Sequence, residues 1–278
     1  MFHGRLMVIA TKHKKELVIS PILEELLKVN CIVPDEFDTD QFGTFTGEIE
    51  RKLSPLETAR IKCYSAMEKS GCDLAIASEG SFGPHPSMLF IPADDELLLL
   101  VDKKNNLEIA VREISTETNF NGKEIDSFDD LKTFADSVKF PSHGLILRIE
   151  HPSFQKNIKG ITAWELLTEV YHQFSSQHYK IIAETDMRAF CNPTRMGVIQ
   201  KATNKLVEKI KSECPQCKFP GFGITDHREG LPCSLCGSKT KSTLSHVSVC
   251  QKCLYMKEDM FPHGKTEEDP MYCDICNP

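Results

Sequence analysis

The chain has one tryptophan in 278 residues, no long apolar run and no excess of positive charge. Each shortage excludes something. A membrane-crossing helix needs about 20 consecutive apolar residues, and the apolar runs here stay at a handful, as in Leu97–Val101. The first residues lack the charged-then-apolar order of a secretory leader, so the sequence predicts a cytoplasmic protein without a membrane partner. Lys and Arg total 33 against 40 Asp and Glu, a formal charge of -7. A general nucleic-acid binder needs a basic face, so nucleic acid is an unfavoured partner. A nucleotide remains compatible, because a few lysines at one site suffice for its phosphates.

Cysteine is unevenly placed. Cys31, Cys63, Cys72 and Cys191 are scattered and read as small buried hydrophobes. The other eight form four C-x-x-C pairs: Cys214/Cys217, Cys233/Cys236, Cys250/Cys253 and Cys273/Cys276. One such knuckle turns two thiolates toward one ion, and two knuckles complete a tetrahedral zinc site. Four knuckles predict two structural zinc ions, closed to water and needed for a small segment to fold. The order knuckle, strand, knuckle, strand from Cys233 to Met260 resembles a zinc ribbon. It favours pairing the second knuckle with the third and the first with the fourth. From Cys214 onward the chain carries seven basic and eight acidic side chains. That balance favours a structural module, or one contacting a protein partner or a second copy, over a nucleic-acid module. The expected division is an α/β domain over 1–211 and a double zinc module over 212–278.

The front of the chain reads as strand, basic turn, helix, strand. "RLMVIAT" ends at Thr11, "KHKKE" follows, and Leu17, Val18, Ile22 and Leu26 recur at helical spacing. In α/β units ligands collect at the carboxyl ends of strands, where helix N-termini offer N–H groups to anions. Thr11, His13, Lys14 and Lys15 are therefore candidate phosphate-binding residues. Ser54-Pro55-Leu56-Glu57 is a capping box that starts the next helix, which gives Glu57 a structural role alongside any catalytic one. The run "DLAIASEGSFGPHP" then ends an apolar strand on Glu79, with Ser81 among the glycines of the predicted loop. Glu57 and Glu79 facing lysines across a crevice would suit a magnesium ion against a polyphosphate.

Later segments contribute less. "ELLLLVDKKNNLEIAVREI" reads as a hairpin, with Asp94 and Asp95 as a solvated strand start. Arg112, Glu117 and Asn119 are minor candidates for polar lining. "HPSFQKNIKG" reads as a loop, and Thr162 to Glu165 as a second capping box. In "AETDMRAFCNPTRM", Asp186 and Arg188 follow a strand, Asn192 caps a helix, and Arg195 lies in its first turn. Two arginines so placed suit oxyanion recognition.

"ATKHKKE", "PLETARIK" and "AIASEGSFG" together resemble successive signatures of the inosine/xanthosine triphosphate pyrophosphatase superfamily over roughly residues 5 to 85. The usual asparagine of the first turn is His13 here, and Ser78-Glu79 replaces a pair of acids. The resemblance implies an α/β fold with a mixed sheet flanked by helices. It also implies magnesium-dependent hydrolysis of a nucleoside triphosphate to monophosphate and pyrophosphate, with Lys15 (or Lys14) holding the phosphates, Glu57 helping to bind the catalytic metal and Glu79 in the role of the acidic turn. End to end, with "NPTRM" and the terminal "CDICNP", the chain also resembles a bacterial family of unknown function bearing this zinc tail. The alternative reading is a non-catalytic sensor of a nucleotide or phosphorylated metabolite that contacts a partner through the zinc module.

Overall fold

Two periodicities, helical in some segments and alternating in others, build a mixed α/β protein. A computed structural model describes residues 1–34, 53–176 and 179–278. The polar stretch 37–52, whose composition predicts a loop, lies outside the described residues. The chain divides into two compact units, Met1–Leu206 and Val207–Pro278.

The first unit opens with β1 (Leu6–Ala10), α1 (Glu16–Leu27), β2 (Asn30–Ile32) and α2 (Pro55–Ser70). Next come β3 (Leu74–Pro84), β4 (Pro92–Asp102) and β5 (Leu107–Ser115). These strands make one sheet in the order β2-β1-β3-β4-β5. β1 runs parallel to both neighbours, whereas β3, β4 and β5 are antiparallel. One face of the sheet, with Ala75, Ala77, Leu99 and Val101, packs on Ala59, Cys63, Ala66 and Met67 of α2. Burial of each larger side chain there stabilises the unit by roughly 1.5–3 kcal/mol.

The second sheet uses β6 (Gly122–Glu124), α3 (Phe128–Ser137), β7 (Leu145–His151), β8 (Phe154–Ile161), α4 (Trp164–Ser175) and β9 (Lys180–Thr185). Its order is β6-β9-β7-β8, all antiparallel. Alternation sends Leu145, Leu147, Ile149, Ile181 and Ala183 onto α3 and α4. The opposite face receives Ile146, Arg148 and Glu184. α5 (Pro193–Lys211) then carries the chain across the division between units.

Several expectations change. β3 does not end at Glu79: it continues to Pro84, because β4 pairs with every residue from Leu74 to Pro84. Glu79 therefore sits inside a strand, and the glycines around it are strand residues. Asp94, expected at a solvated strand start, is buried, since its strand begins two residues earlier and β3 and β5 flank it. In α1 the buried stripe is Ile19, Leu23 and Leu27, and Leu17 and Leu26 are exposed. Two sets of apolar residues share helical spacing there, and only the sheet selects between them. α4 is capped by Ala163 without a side-chain bond, so the capping box expected at Thr162 does not form. The "HPSFQKNIKG" segment is largely strand β8, paired with β7.

The second unit is built on a three-stranded antiparallel meander, β10 (Ile224–Glu229), β11 (Thr243–Val249) and β12 (Met256–Met260). A knuckle precedes β10, another follows β12, and the remaining two lie in the connections between strands.

A buried charged cluster and two cysteine centres

The cluster begins where β1 stops. Ala10 is the last residue paired with β3, at Ala77, so from Ser78 onward no strand among the described residues pairs on that side. The turn after β1 fills the position. Lys14 adopts a left-handed conformation and points into solvent, and Lys15, the N-cap residue of α1, is buried. The Lys15 ammonium donates to Ser78 Oγ at 2.9 Å and lies 4.0 Å from Glu96 Oε2. Burial pulls its pKa down to about 8, against the opposing attraction of Glu96.

Strand alternation separates the acids. Glu79 and Ser81 point to the face covered by α2, where Lys62 meets Glu79 Oε1 at 2.5 Å. Ser81 is half-buried opposite Asp95. The other face carries Ser78, Gly80, Asp94 and Glu96. Glu96, fully buried, accepts from Arg195 Nε at 2.6 Å. Gly80 permits that approach, because a Cβ there would stand 2.3 Å from Arg195 Nη2 and 2.5 Å from Glu96 Oε1. Arg195 also lies over the Phe82 ring at 4.9 Å and donates to the Met187 carbonyl.

Asp94 is the unusual member. Neither of its carboxylate oxygens has a hydrogen-bond partner among the described residues, nor does Glu96 Oε2 or the buried Thr11 hydroxyl. Burial, and then the neighbouring Glu96, push the Asp94 carboxyl up to about 8. At neutral pH Asp94 is thus mainly protonated. Lys15, Lys62 and Arg195 share the cluster with three acidic side chains, Glu79, Asp94 and Glu96.

The stretch "AETDMRAFCNPTRM" reaches the same place. Asn192 Oδ1 accepts the Arg195 backbone N–H at 3.0 Å, so the cap residue fixes the turn that aims Arg195 inward. Asp186 is fully buried. Burial alone would raise its carboxyl, but bonds from Arg188 and from the Gly160 N–H outweigh it and hold it below the usual range. The Arg188 guanidinium lies 4.8 Å from the Phe190 ring, and His13 lies 5.8 Å from it on centroids. Residues from both ends of the first unit therefore converge at the carboxyl end of β1.

Glu57 does not join them. Its carboxylate accepts the Ser54 backbone N–H at 2.9 Å and the Ser54 hydroxyl at 2.6 Å on an exposed helix start. Lys62, five residues on, leaves α2 about 140° around the helix axis from Glu57. The structure pairs that lysine with Glu79. Lys62 and Glu96 are not singled out in the sequence, and Asp94 is read there as a solvated strand start. Lys62 could have been found, since it falls at i+3 from Ala59 inside an otherwise apolar stripe. Asp94 and Glu96 share a strand face with Leu98 and Leu100, which is also visible in the sequence once β4 is extended.

The eight tail cysteines gather into two groups: Cys214, Cys217, Cys250 and Cys253, and Cys233, Cys236, Cys273 and Cys276. Among the described residues these are the groups of three or more His, Cys, Asp or Glu side chains close enough to share a metal. The Sγ separations are 3.7 Å for Cys214–Cys253, 3.6 Å for Cys217–Cys250, 3.9 Å for Cys233–Cys276 and 3.7 Å for Cys236–Cys273. Zinc–sulfur bonds of about 2.3 Å in a tetrahedron give an S···S edge of about 3.8 Å. The thiols fit zinc, and they are far too widely separated for disulfides.

The pairing corrects the ribbon expectation. Knuckles one and three share a site, as do two and four. The reason is strand length: the seven residues of β11 span about 20 Å, so the knuckles at its two ends cannot reach one ion. Each strand of the meander crosses the unit once, which places odd-numbered knuckles at one end and even-numbered knuckles at the other.

No helix among the described residues is long and apolar enough to cross a membrane. Comparison with curated proteins gives no match. The sequence profile of one family, described as a domain of unknown function (DUF6671), matches residues 62–278, which include Lys62, Glu79, Glu96, Arg195 and all eight tail cysteines. The chain belongs to the DUF6671 family.

Proposed function

We propose that the first unit is a metal-dependent nucleoside triphosphate pyrophosphohydrolase, and that the second unit is a zinc-stabilised module. The observation that carries this reading is the convergence at the end of β1. The Lys15 turn and the Arg195 helix start meet there beside Asp94 and Glu96, three of whose four carboxylate oxygens are buried without a hydrogen-bond partner among the described residues. The superfamily resemblance of residues 5–85 supports the same reaction.

Phosphoryl transfer asks a protein mainly for positioning and charge neutralisation. Thr11, His13 and Lys14 would line the phosphate path at the N-terminus of α1, with Arg188 beside His13 through Phe190. Lys15 would meet the innermost phosphate oxygens. Magnesium needs one or two carboxylates plus phosphate oxygens. Glu57 and Glu79 do not fit as its pair, because one caps a helix and the other holds Lys62. Asp94 and Glu96 fit, offering three buried oxygens without hydrogen-bond partners. When bound, the ion would supply charge compensation for the leaving pyrophosphate. Asp94 would release its proton as the ion enters.

The test is pyrophosphate release from canonical and deaminated nucleoside triphosphates with magnesium, comparing wild type with Asp94→Asn. Turnover by the wild type, reduced at least about 100-fold in the variant, is the expected result. No turnover on any member by folded, zinc-loaded protein overturns the hydrolase reading. The sensor reading then gains, which the mutual neutralisation of Arg195 with Glu96 and of Lys62 with Glu79 also favours.

A further inference from the structure

A cleft of about 790 Å³ lies between the turn joining β3 to β4 and the open face of the second sheet. Its two sides differ chemically. The turn side presents Leu89 and Phe90, which are 70% and 100% exposed, and Phe120 adds a further ring to the lining. Such apolar exposure on an isolated turn costs free energy unless something covers it. The floor is polar. Arg148 is held by Glu184, at 3.0 Å, and by Glu150, so its charge is neutralised and offers little to a phosphate. Beside it in the β7–β8 ladder is Asn157, whose fully buried Oδ1 has no hydrogen-bond partner among the described residues.

The geometry points to this cleft as the binding site for a planar, uncharged heterocycle. Its faces would lie against Phe90 and Phe120, and one of its ring N–H groups would donate to Asn157 Oδ1. The cleft also adjoins the charged cluster: Phe120 packs on Phe82 at 5.8 Å, and Phe82 carries the Arg195 guanidinium on its face. A ligand with a heterocycle at one end and phosphates at the other would bridge the two. Naming that ligand's heterocycle as the base of a nucleotide rests on the hydrolase or sensor reading above; the cleft's preference for a neutral planar ring does not.

Calorimetric titration of the full chain with unphosphorylated nucleosides isolates the cleft from the cluster. The expected result is measurable binding of at least one nucleoside, weakened about tenfold or more by Asn157→Leu, which removes the acceptor. Phe90→Ser is the second variant; its fully exposed side chain leaves folding untouched, and about tenfold weaker binding is expected there too. No binding by any nucleoside up to about 10 mM, or binding equal in wild type and both variants, overturns the inference. Pyrophosphate release is read separately. Nucleoside binding without turnover would retain the cleft and reject the hydrolase, and turnover without nucleoside binding would do the reverse.

Discussion

Replacing whole knuckles by serine gives a counting test of the tail. In one quadruple variant, Cys214, Cys217, Cys250 and Cys253 become serine, which removes one centre and leaves Cys233, Cys236, Cys273 and Cys276 intact. In the other, Cys233, Cys236, Cys250 and Cys253 become serine, which leaves half of each centre. The remaining centre in the first variant must close the 36-residue loop between Cys236 and Cys273. Loop closure of that length costs about 3 kcal/mol, whereas a structural four-ligand zinc site contributes about 10–16 kcal/mol. Zinc therefore wins even if the rest of the unit loosens. Elemental analysis after dialysis against a weak chelator should find two zinc ions in wild type, one in the first variant and none in the second. A first variant with none and a second with one would refute the odd-with-odd pairing and restore the ribbon arrangement.

The buried pairs make further predictions. Lys62→Met removes the ammonium that the buried Glu79 carboxylate faces and should cost about 3–5 kcal/mol; Lys62→Met with Glu79→Leu should recover most of it, and equal loss in both would contradict the pairing. Gly80→Ala inserts a methyl group between Arg195 and Glu96 and should cost about 1–3 kcal/mol in the urea midpoint; no change would mean that the pair yields freely. Asp94, raised to about 8, keeps a proton in the folded state that the unfolded chain releases above about pH 4. Its contribution to stability is thus present at low pH and lost as pH rises toward 8, with a slope of at most about 1.4 kcal/mol per pH unit. Lys15, lowered to about 8, acts oppositely at higher pH: between about 8 and 10.5 the unfolded chain holds the extra proton, so stability recovers. Trp164, the single tryptophan, reports the first unit by fluorescence, and Asp94→Asn should abolish the fall between pH 5 and 8. An unchanged profile would refute the shift.

What the sequence made legible was local. Cysteine spacing announced eight candidate metal ligands, because a C-x-x-C turn carries its geometry within four residues. Ser54 and Glu57 announced a helix start for the same reason. Long-range partners were less visible. Which knuckles meet depends on the length and direction of β11, which the ribbon-like order of knuckles and strands does not encode. Glu79 looked like a loop acid because Gly80, Ser81 and Gly83 follow it, yet β4 extends the strand through all three. The acids that face Lys15 and Arg195 come from β4, about 100 positions from Arg195, and their face is legible in "PADDELLLL" only once the strand is extended back to Pro92. Arg195 itself was legible, since Asn192-Pro193 set a helix start three residues before it.

The most direct measurement of the central claim is anomalous diffraction from crystals grown with manganese and a non-hydrolysable nucleoside triphosphate analogue. The account predicts a manganese peak between the carboxylates of Asp94 and Glu96, with phosphate oxygens toward Lys15 and the turn after β1. A peak at Glu57, or triphosphate density away from this cluster, would contradict it.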